Sequence, residues 1–481
     1  MRTPLLQRHF FFLPIAAVGL WVGGCASMKP GMGFDDVQRS VSERTGQKVH
    51  WDNGSPEDSQ TRDAVRALLA DELTADGAVQ IALLNNRNQQ AVYEDLNLAQ
   101  ADLVQAGLLK NPVFGGEVRF ATSGGGTSVV LDLSQDFVSL LSMPLRKGRA
   151  AAQFEAAKIR VTAAVLDLAG ETRVAYHELQ AAEQLRELRG TVAEGMAASY
   201  EFVKRLRAAG NTRELDLSNE RALYEQSKLD LATSESDVVQ RREHLNELMG
   251  LWGDSLGWRI AGRLPPIPAD EIPGEGLEAR AVERSGDLEL ARREVEVAAH
   301  SLGIVKPFAL LQGLNTGVAS EKDFDGSWSV GPSWSLPIPL FDQGQGEIGA
   351  AKARLRQGAQ RYYATAVTLR ARVRAAHAAV IAARERAVYI EKVVLPLREK
   401  IIEESQLQYN AMQVSAFQLL QAKRDQVEGG VQYVEALRTY WLARAKLELI
   451  LSGRMPPMSP PTGDSNMNTG ASSGSGRAGG H

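Results

Sequence analysis

The sequence holds one loop pattern, one set of histidines and one set of soft donors whose residue types suit chemistry. Gly344-Gln345-Gly346-Glu347-Ile348-Gly349 spells the G-x-G-x-x-G of a dinucleotide loop, after a strand-like run and at the opening of a helical one. Such a site also needs an acidic residue about 20 positions on, for the ribose, and a second parallel strand. Here that neighbourhood is Thr368-Leu369-Arg370 and no such strand follows. The three glycines therefore read as a bend from strand to helix. The seven histidines form no H-x-x-x-H pair and have no cysteine partners, so no metal site is expected. His177 and His377 fall at matching places 200 residues apart, where packing or surface roles are expected, although a symmetric assembly could gather them into a ring. Met455, Met458, Met467 and His481 are soft donors, but composition bias in a loose tail explains them better. No Ser/His/Asp set or carboxylate pair has a catalytic context, so neither an enzyme nor a cofactor is expected.

Cys25, the only cysteine, has a different chemistry. The chain starts with Arg2 and Arg8, then runs through an apolar stretch from Phe10 to Val22, too short for a comfortable membrane span. This reads as an export signal over residues 1–24. Val22-Gly23-Gly24-Cys25 resembles the bacterial lipobox, whose cysteine is lipidated and becomes the first residue of the mature chain. The alternative is an incidental free thiol. Ala26 follows, and by resemblance to lipoprotein sorting that favours the outer membrane. No other segment is apolar for long enough to span as a helix, so any further crossing must be made by strands.

The elements around these residues are built twice. The segment Leu73–Leu103 resembles Gly276–Leu302, with Leu96, Leu98, Ala99 and Leu103 meeting Val295, Val297, Ala298 and Leu302 at an offset of 199. Each segment reads as helical and leads to a proline, Pro112 or Pro307. Two short alternating runs follow each proline, then Pro144-Leu145 or Pro339-Leu340, then a long helix. Ala209–Leu217 matches Ala411–Leu419 at an offset of 202, and each precedes one more long helix. The first repeat covers residues 73–263 and the second 277–455. A proline-rich linker at 264–276 joins them, residues 25–72 precede them, and a Pro/Gly/Ser-rich tail at 456–481 is expected to be disordered.

Strands are expected at about 113–121, 127–137, 308–319 and 326–336. Their apolar faces are Phe114, Val118 and Phe120; Val129, Leu131, Leu133 and Phe137; Phe308, Leu310, Leu314 and Val318; and Trp328, Val330, Trp334 and Leu336. A period of two marks a strand, and runs of about 9–11 residues suit a tilted membrane strand. A soluble sheet packed on helices would alternate in the same way. The lipobox and the helix lengths favour the membrane. Four strands cannot close a barrel and lipid tolerates no open edge, so membrane strands would require oligomerisation. Arg149 to Ala208 contains no proline and gives about 90 Å of helix at 1.5 Å per residue. In the return helix Leu217, Tyr224, Leu231 and Val238 recur every seven residues, the coiled-coil spacing.

Together these features make the chain similar to the TolC-like outer-membrane efflux protein family over about residues 73–455. The carriers are the opening LTADGAVQIALLNN, the duplicated order of elements, Pro-Leu-Phe-Asp-Gln-Gly at 339–344, and the two turns near 210 and 412. The resemblance implies a mainly α fold with a small transmembrane β part. A homotrimer would build a twelve-stranded β-barrel and a long α-helical barrel. It also implies that the turns at about 209–214 and 411–416, with Gly210, Asn211, Thr212, Met412, Gln413 and Val414, meet a periplasmic adaptor coupled to an inner-membrane efflux pump. Met412 stands where the family usually has glycine. Asp216 fits an acidic entrance constriction in the first copy, whereas the second copy offers Gln418 and Gln421.

The expected function is therefore an exit duct anchored in outer-membrane lipid, with metal ions and organic toxicants both suitable as cargo. The alternative is a periplasmic or membrane-attached coiled-coil scaffold without a pore. A net charge of −4 without a basic stripe gives no reason to expect nucleic acid.

Overall fold

The computed structural model describes residues 28–456 apart from Gln312. The export signal, Cys25 and the tail beyond Pro456 lie outside the described residues. The segment before the first repeat holds two helices, α1 (Phe34–Thr45) and α2 (Glu57–Ala70). The first repeat runs β1 (Glu72–Leu73), α3 (Ala75–Asn85), α4 (Arg87–Ala106), β2 (Val113–Phe120), β3 (Thr127–Asp136), α5 (Phe137–Ala208) and α6 (Glu214–Met249). The second runs β4 (Arg259–Ile260), α7 (Leu277–Arg284), α8 (Gly286–Phe308), β5 (Asn315–Lys322), β6 (Trp328–Ser335), α9 (Gln345–Tyr389), α10 (Leu395–Asn410) and α11 (Ala416–Leu451). One π-helical turn at Ile390–Val394 joins α9 to α10.

Helix starts follow local chemistry. The Thr74 hydroxyl accepts from Gly77 N–H, Asn86 Oδ1 from Gln89 N–H, Asp136 Oδ1 from Ser139 N–H, and Ser285 Oγ from Leu288 N–H. Each satisfies an N–H that the helix cannot bond itself. Helix α5 has 72 residues, about 108 Å at 1.5 Å per residue. It begins at Phe137, well before the expected Arg149, and carries Pro144 inside its second turn. There the Arg146 guanidinium donates to Ser139 O at 2.8 Å.

Helices α5 and α6 form a long antiparallel hairpin, and α10 and α11 form a second. Tyr224, one of the residues spaced by seven, stacks on Tyr200 at 5.8 Å, while Val238 is buried. Glu178 of α5 holds Arg241 of α6 at 2.9 Å and Arg438 of α11 at 3.8 Å. The main core joins α1, α2, α3, α4, α5 and α6 around Tyr93, Leu96, Val161, Leu179 and Met249. Phe34 and Trp51 close its outer side against Tyr93, with ring centroids 5.1 and 6.0 Å away.

The stretch between the repeats is a strap with specific seats. Gln180 Nε2 donates to Ala261 O and Arg263 O, Trp441 Nε1 to Pro265 O, and Arg384 to Ala269 O. Glu271 accepts from the Tyr440 hydroxyl at 2.8 Å and from Arg384 and Arg444 at 3.4 Å. Burial pushes the Glu271 carboxyl up. The Ile272 N–H, the Tyr440 hydroxyl and the two guanidinium groups outweigh that and hold it below the usual carboxylate range.

Candidate functional site

The sheet has the antiparallel order β2-β3-β5-β6. Register determines what each face carries. Phe114 pairs with Leu133, Leu133 with Val318, and Val318 with Pro332. One row further, Gly116, Leu131, Ser320 and Val330 align. The apolar parity of three strands thus falls on one side. Phe114 and Phe120 mark the two ends of β2, and Trp328 and Trp334 mark those of β6, all four exposed. Aromatic rings at both ends of an outward apolar band are the pattern of a membrane barrel wall. The opposite face carries Glu117, Arg119, Asp132, Ser134, Glu321, Ser329 and Ser333. There Ser333 Oγ donates to Asp132 Oδ1 at 3.0 Å.

The third strand corrects the sequence reading. Phe308 ends helix α8, which runs one residue past Pro307, and Leu310 lies in the following turn. Strand β5 starts at Asn315 and extends to Lys322, so its positions on the side of Phe114 and Leu133 are Thr316, Val318, Ser320 and Lys322. The apolar alternation at 308–314 belongs to a helix end and a turn. Pro307 is expected to follow the helix, yet α8 includes it one residue before its end; its fixed φ suits a helix, and the N–H it lacks costs one i→i−4 bond there.

The two turns repeat each other bond for bond. In the first, Asn211 N–H donates to Leu206 O at 2.9 Å and Gly210 takes φ 76°. In the second, Gln413 N–H donates to Gln408 O at 2.9 Å and Met412 takes φ 59°. Both close a helix by the same left-handed cap. Met412 is the only non-glycine with positive φ among the described residues, and it is 94% exposed. Thr212 and Val414 follow, half-buried, before the next helix.

Asp216 and Gln418 also hold equivalent posts. Asp216 Oδ2 accepts from Arg213 N–H at 3.3 Å, and Gln418 Oε1 from Ser415 N–H at 3.1 Å. Each reaches back to close the first turn of its helix. The Arg213 guanidinium also binds Asp216, at 3.1 Å and 3.2 Å, and holds its carboxyl below the usual range. Gln421 donates to Asp425, which also pairs with Arg398 at 3.3 Å.

The remaining motifs have structural seats. Gly344 takes φ 74° at the start of α9, and a Cβ there would meet Ala309 Cβ at 2.8 Å. The sheet before it is antiparallel, which is not the setting of a dinucleotide loop. His177 is buried, stacks on Trp441 at 5.1 Å and bonds Gln180 at 3.0 Å. Burial holds its pKa below the usual histidine value, although the Gln180 bond opposes this. His377 Nε2 lies 3.2 Å from Ile272 O. Both histidines therefore serve the strap. A residue set missed in the sequence lies in the N-terminal segment, where His50, Asp52 and Asp58 converge. Their spacing matches no short metal motif, and only the fold brings Asp58 back to His50.

Solved structures place this architecture. The Campylobacter jejuni CmeC outer membrane channel superposes with TM-score 0.68 at 16% identity, covering 79% of this chain and 86% of that one. The chain has the TolC-like fold. The open state of the Neisseria gonorrhoeae MtrE outer membrane channel shares this fold with TM-score 0.64 at 20% identity, over 79% of this chain and 89% of that one. In sequence, the cobalt-zinc-cadmium resistance protein CzcC of Cupriavidus metallidurans is 21% identical over 396 residues, 79% of this chain and 90% of its own length. No protein-family model matches. Among the described residues no helix is long and apolar enough to cross a membrane.

Proposed function

We propose that this chain is the outer-membrane exit duct of a tripartite efflux system, working as a homotrimer. The observation that carries the reading is the sheet. Three of its four strands are apolar on one side, with aromatics at the ends of β2 and β6, the other side is largely polar, and its edge strands β2 and β6 have no neighbour among the described residues. In lipid each unpaired edge group costs several kcal/mol, so β6 of one copy must pair with β2 of the next. Three copies give twelve strands, and the polar face lines the bore. The helical hairpins continue the duct into the periplasm. Gly210, Asn211, Thr212, Met412, Gln413 and Val414 then present the tips to an adaptor, which couples to an inner-membrane pump.

Substrate passes without chemistry, so the chain acts as a channel rather than an enzyme. Cys25 carries the lipid that fixes the mature N-terminus in the outer membrane. The name of the CzcC relative makes divalent cobalt, zinc and cadmium the first cargo class to test. The entrance residues are Asp216, Gln418 and Gln421. With Asp216 neutralised by Arg213 they form a polar entrance rather than an acidic filter.

The experiment is palmitate labelling and detergent extraction of wild type and Cys25→Ala. The expected result is label on wild type only and a trimer in detergent. A soluble, detergent-free monomer would contradict the duct.

A further inference from the structure

The N-terminal loop between α1 and α2 carries a second chemistry. His50 Nε2 lies 2.7 Å from Asp58 Oδ1 and 3.8 Å from Asp52 Oδ1. One ligand atom from each of the three residues lies within 4.8 Å of the other two. Ligands about 2.0–2.2 Å from a tetrahedral zinc ion stand roughly 3.3 Å apart. Bringing the three atoms onto one ion takes side-chain movements of about 0.5–0.6 Å between His50 and each carboxylate, and of up to about 1.5 Å between the two carboxylates.

The loop is built to hold them. The Gln90 side-chain amide clamps the backbone from both sides, donating to His50 O at 2.9 Å and accepting from Asp52 N–H at 2.8 Å. His50 and Asp52 flank Trp51, whose ring turns into the core. Asp58 enters from the first turn of α2, and its second oxygen is fixed by Gly54 N–H at 2.8 Å. Asp58 is buried, and Asp52 stands toward solvent with 31% of its side chain exposed. That leaves an outer position for water. Three protein ligands, a fixed outer shell and one open position describe a metal site better than a simple ion pair. One charge opposes a cation there, because Arg87 donates to the second oxygen of Asp52 at 2.7 Å.

We propose that His50, Asp52 and Asp58 form a site for a divalent transition ion, zinc or cobalt, that ties the loop after α1 to the first turn of α2. The imidazole nitrogen excludes magnesium and calcium, which take oxygen donors and, for magnesium, a near-octahedral shell.

The test is calorimetric titration of zinc chloride into the purified, tag-free full chain in detergent, with magnesium chloride as a control. Wild type is expected to show a saturable site per chain that His50→Ala removes and Asp52→Asn weakens at least tenfold. Gln90→Ala, which frees the loop, should weaken it by about 10–100-fold. Arg87→Gln should tighten it, because a competing cation is gone. At one zinc concentration, zinc should raise the melting temperature of wild type more than that of Asp52→Asn. Identical isotherms for wild type and His50→Ala would overturn the site. If His50→Ala does not fold, identical isotherms for wild type, Asp52→Asn and Arg87→Gln would overturn it equally. Equal binding of magnesium would contradict the donor chemistry.

Discussion

Met412 departs from what its backbone prefers. A left-handed conformation costs a non-glycine residue about 1–2 kcal/mol, and Gly210 at the equivalent post avoids that cost. Glycine itself loses about 0.5–1 kcal/mol in unfolded-chain entropy. Met412→Gly should therefore leave stability unchanged or raise it by up to about 1 kcal/mol. A thermal melt checks this, and a loss of 1 kcal/mol or more would show that the exposed side chain supports the fold. If the proposed duct docks an adaptor at its tips, the same variant should weaken adaptor binding in a pull-down, since it removes an almost fully exposed apolar side chain. Asp216 yields a pH prediction. Its carboxyl is held low by Arg213, so its contribution is present above the unfolded pKa near 3.9 and is lost as pH falls through the lower folded value. Hydrogen exchange at residues 211–217 should therefore be protected at pH 6 and accelerated, relative to the helix interiors, below about pH 4. Unchanged relative protection would remove Asp216 from the cap.

Among the elements, the sheet gives the sharpest contrast. Leu131 lies mid-strand on the apolar face, and Ser333 lies on the polar face beside Asp132. Leu131→Lys should cost about 2–4 kcal/mol in lipid and reduce assembled trimer, while Ser333→Lys, next to a carboxylate, should be tolerated. Equal trimer yields on a gel would refute the assignment of the two faces. Trp334→Lys, at the strand end, should fall between them. The strap gives a second test. Glu271→Ala leaves Arg384 and Arg444 without their shared carboxylate and should cost about 1–3 kcal/mol in a denaturant titration. Much of this was legible in the sequence. The period of two placed β2, β3 and β6, and the absence of breakers in 149–208 marked α5. What it could not show were long-range partners. Pro307 and Pro144 read as helix ends because nothing local reports whether neighbouring groups accommodate a proline. The strap read as a linker because Gln180, Arg384, Tyr440 and Trp441 reach it from positions far along the chain. His50 and Asp58 could not be paired from spacing, since the loop that joins them is shaped by Gln90.

At the scale of the whole molecule, the proposed duct is a duplicated unit that closes only as an assembly. Helix α5 spans about 108 Å, several times an ordinary globular helix, and the sheet ends in two edges that are unpaired among the described residues. A scaffold without a pore would account for the length but not for a sheet with lipid-like and water-like faces. Closure by three copies accounts for both. The most direct measurement is single-channel current across a planar bilayer after reconstitution of the purified trimer. The duct predicts discrete ion-conducting steps from wild type and none from Leu131→Lys that has failed to assemble. A correctly folded, bilayer-inserted wild-type protein that never conducts would contradict the central claim.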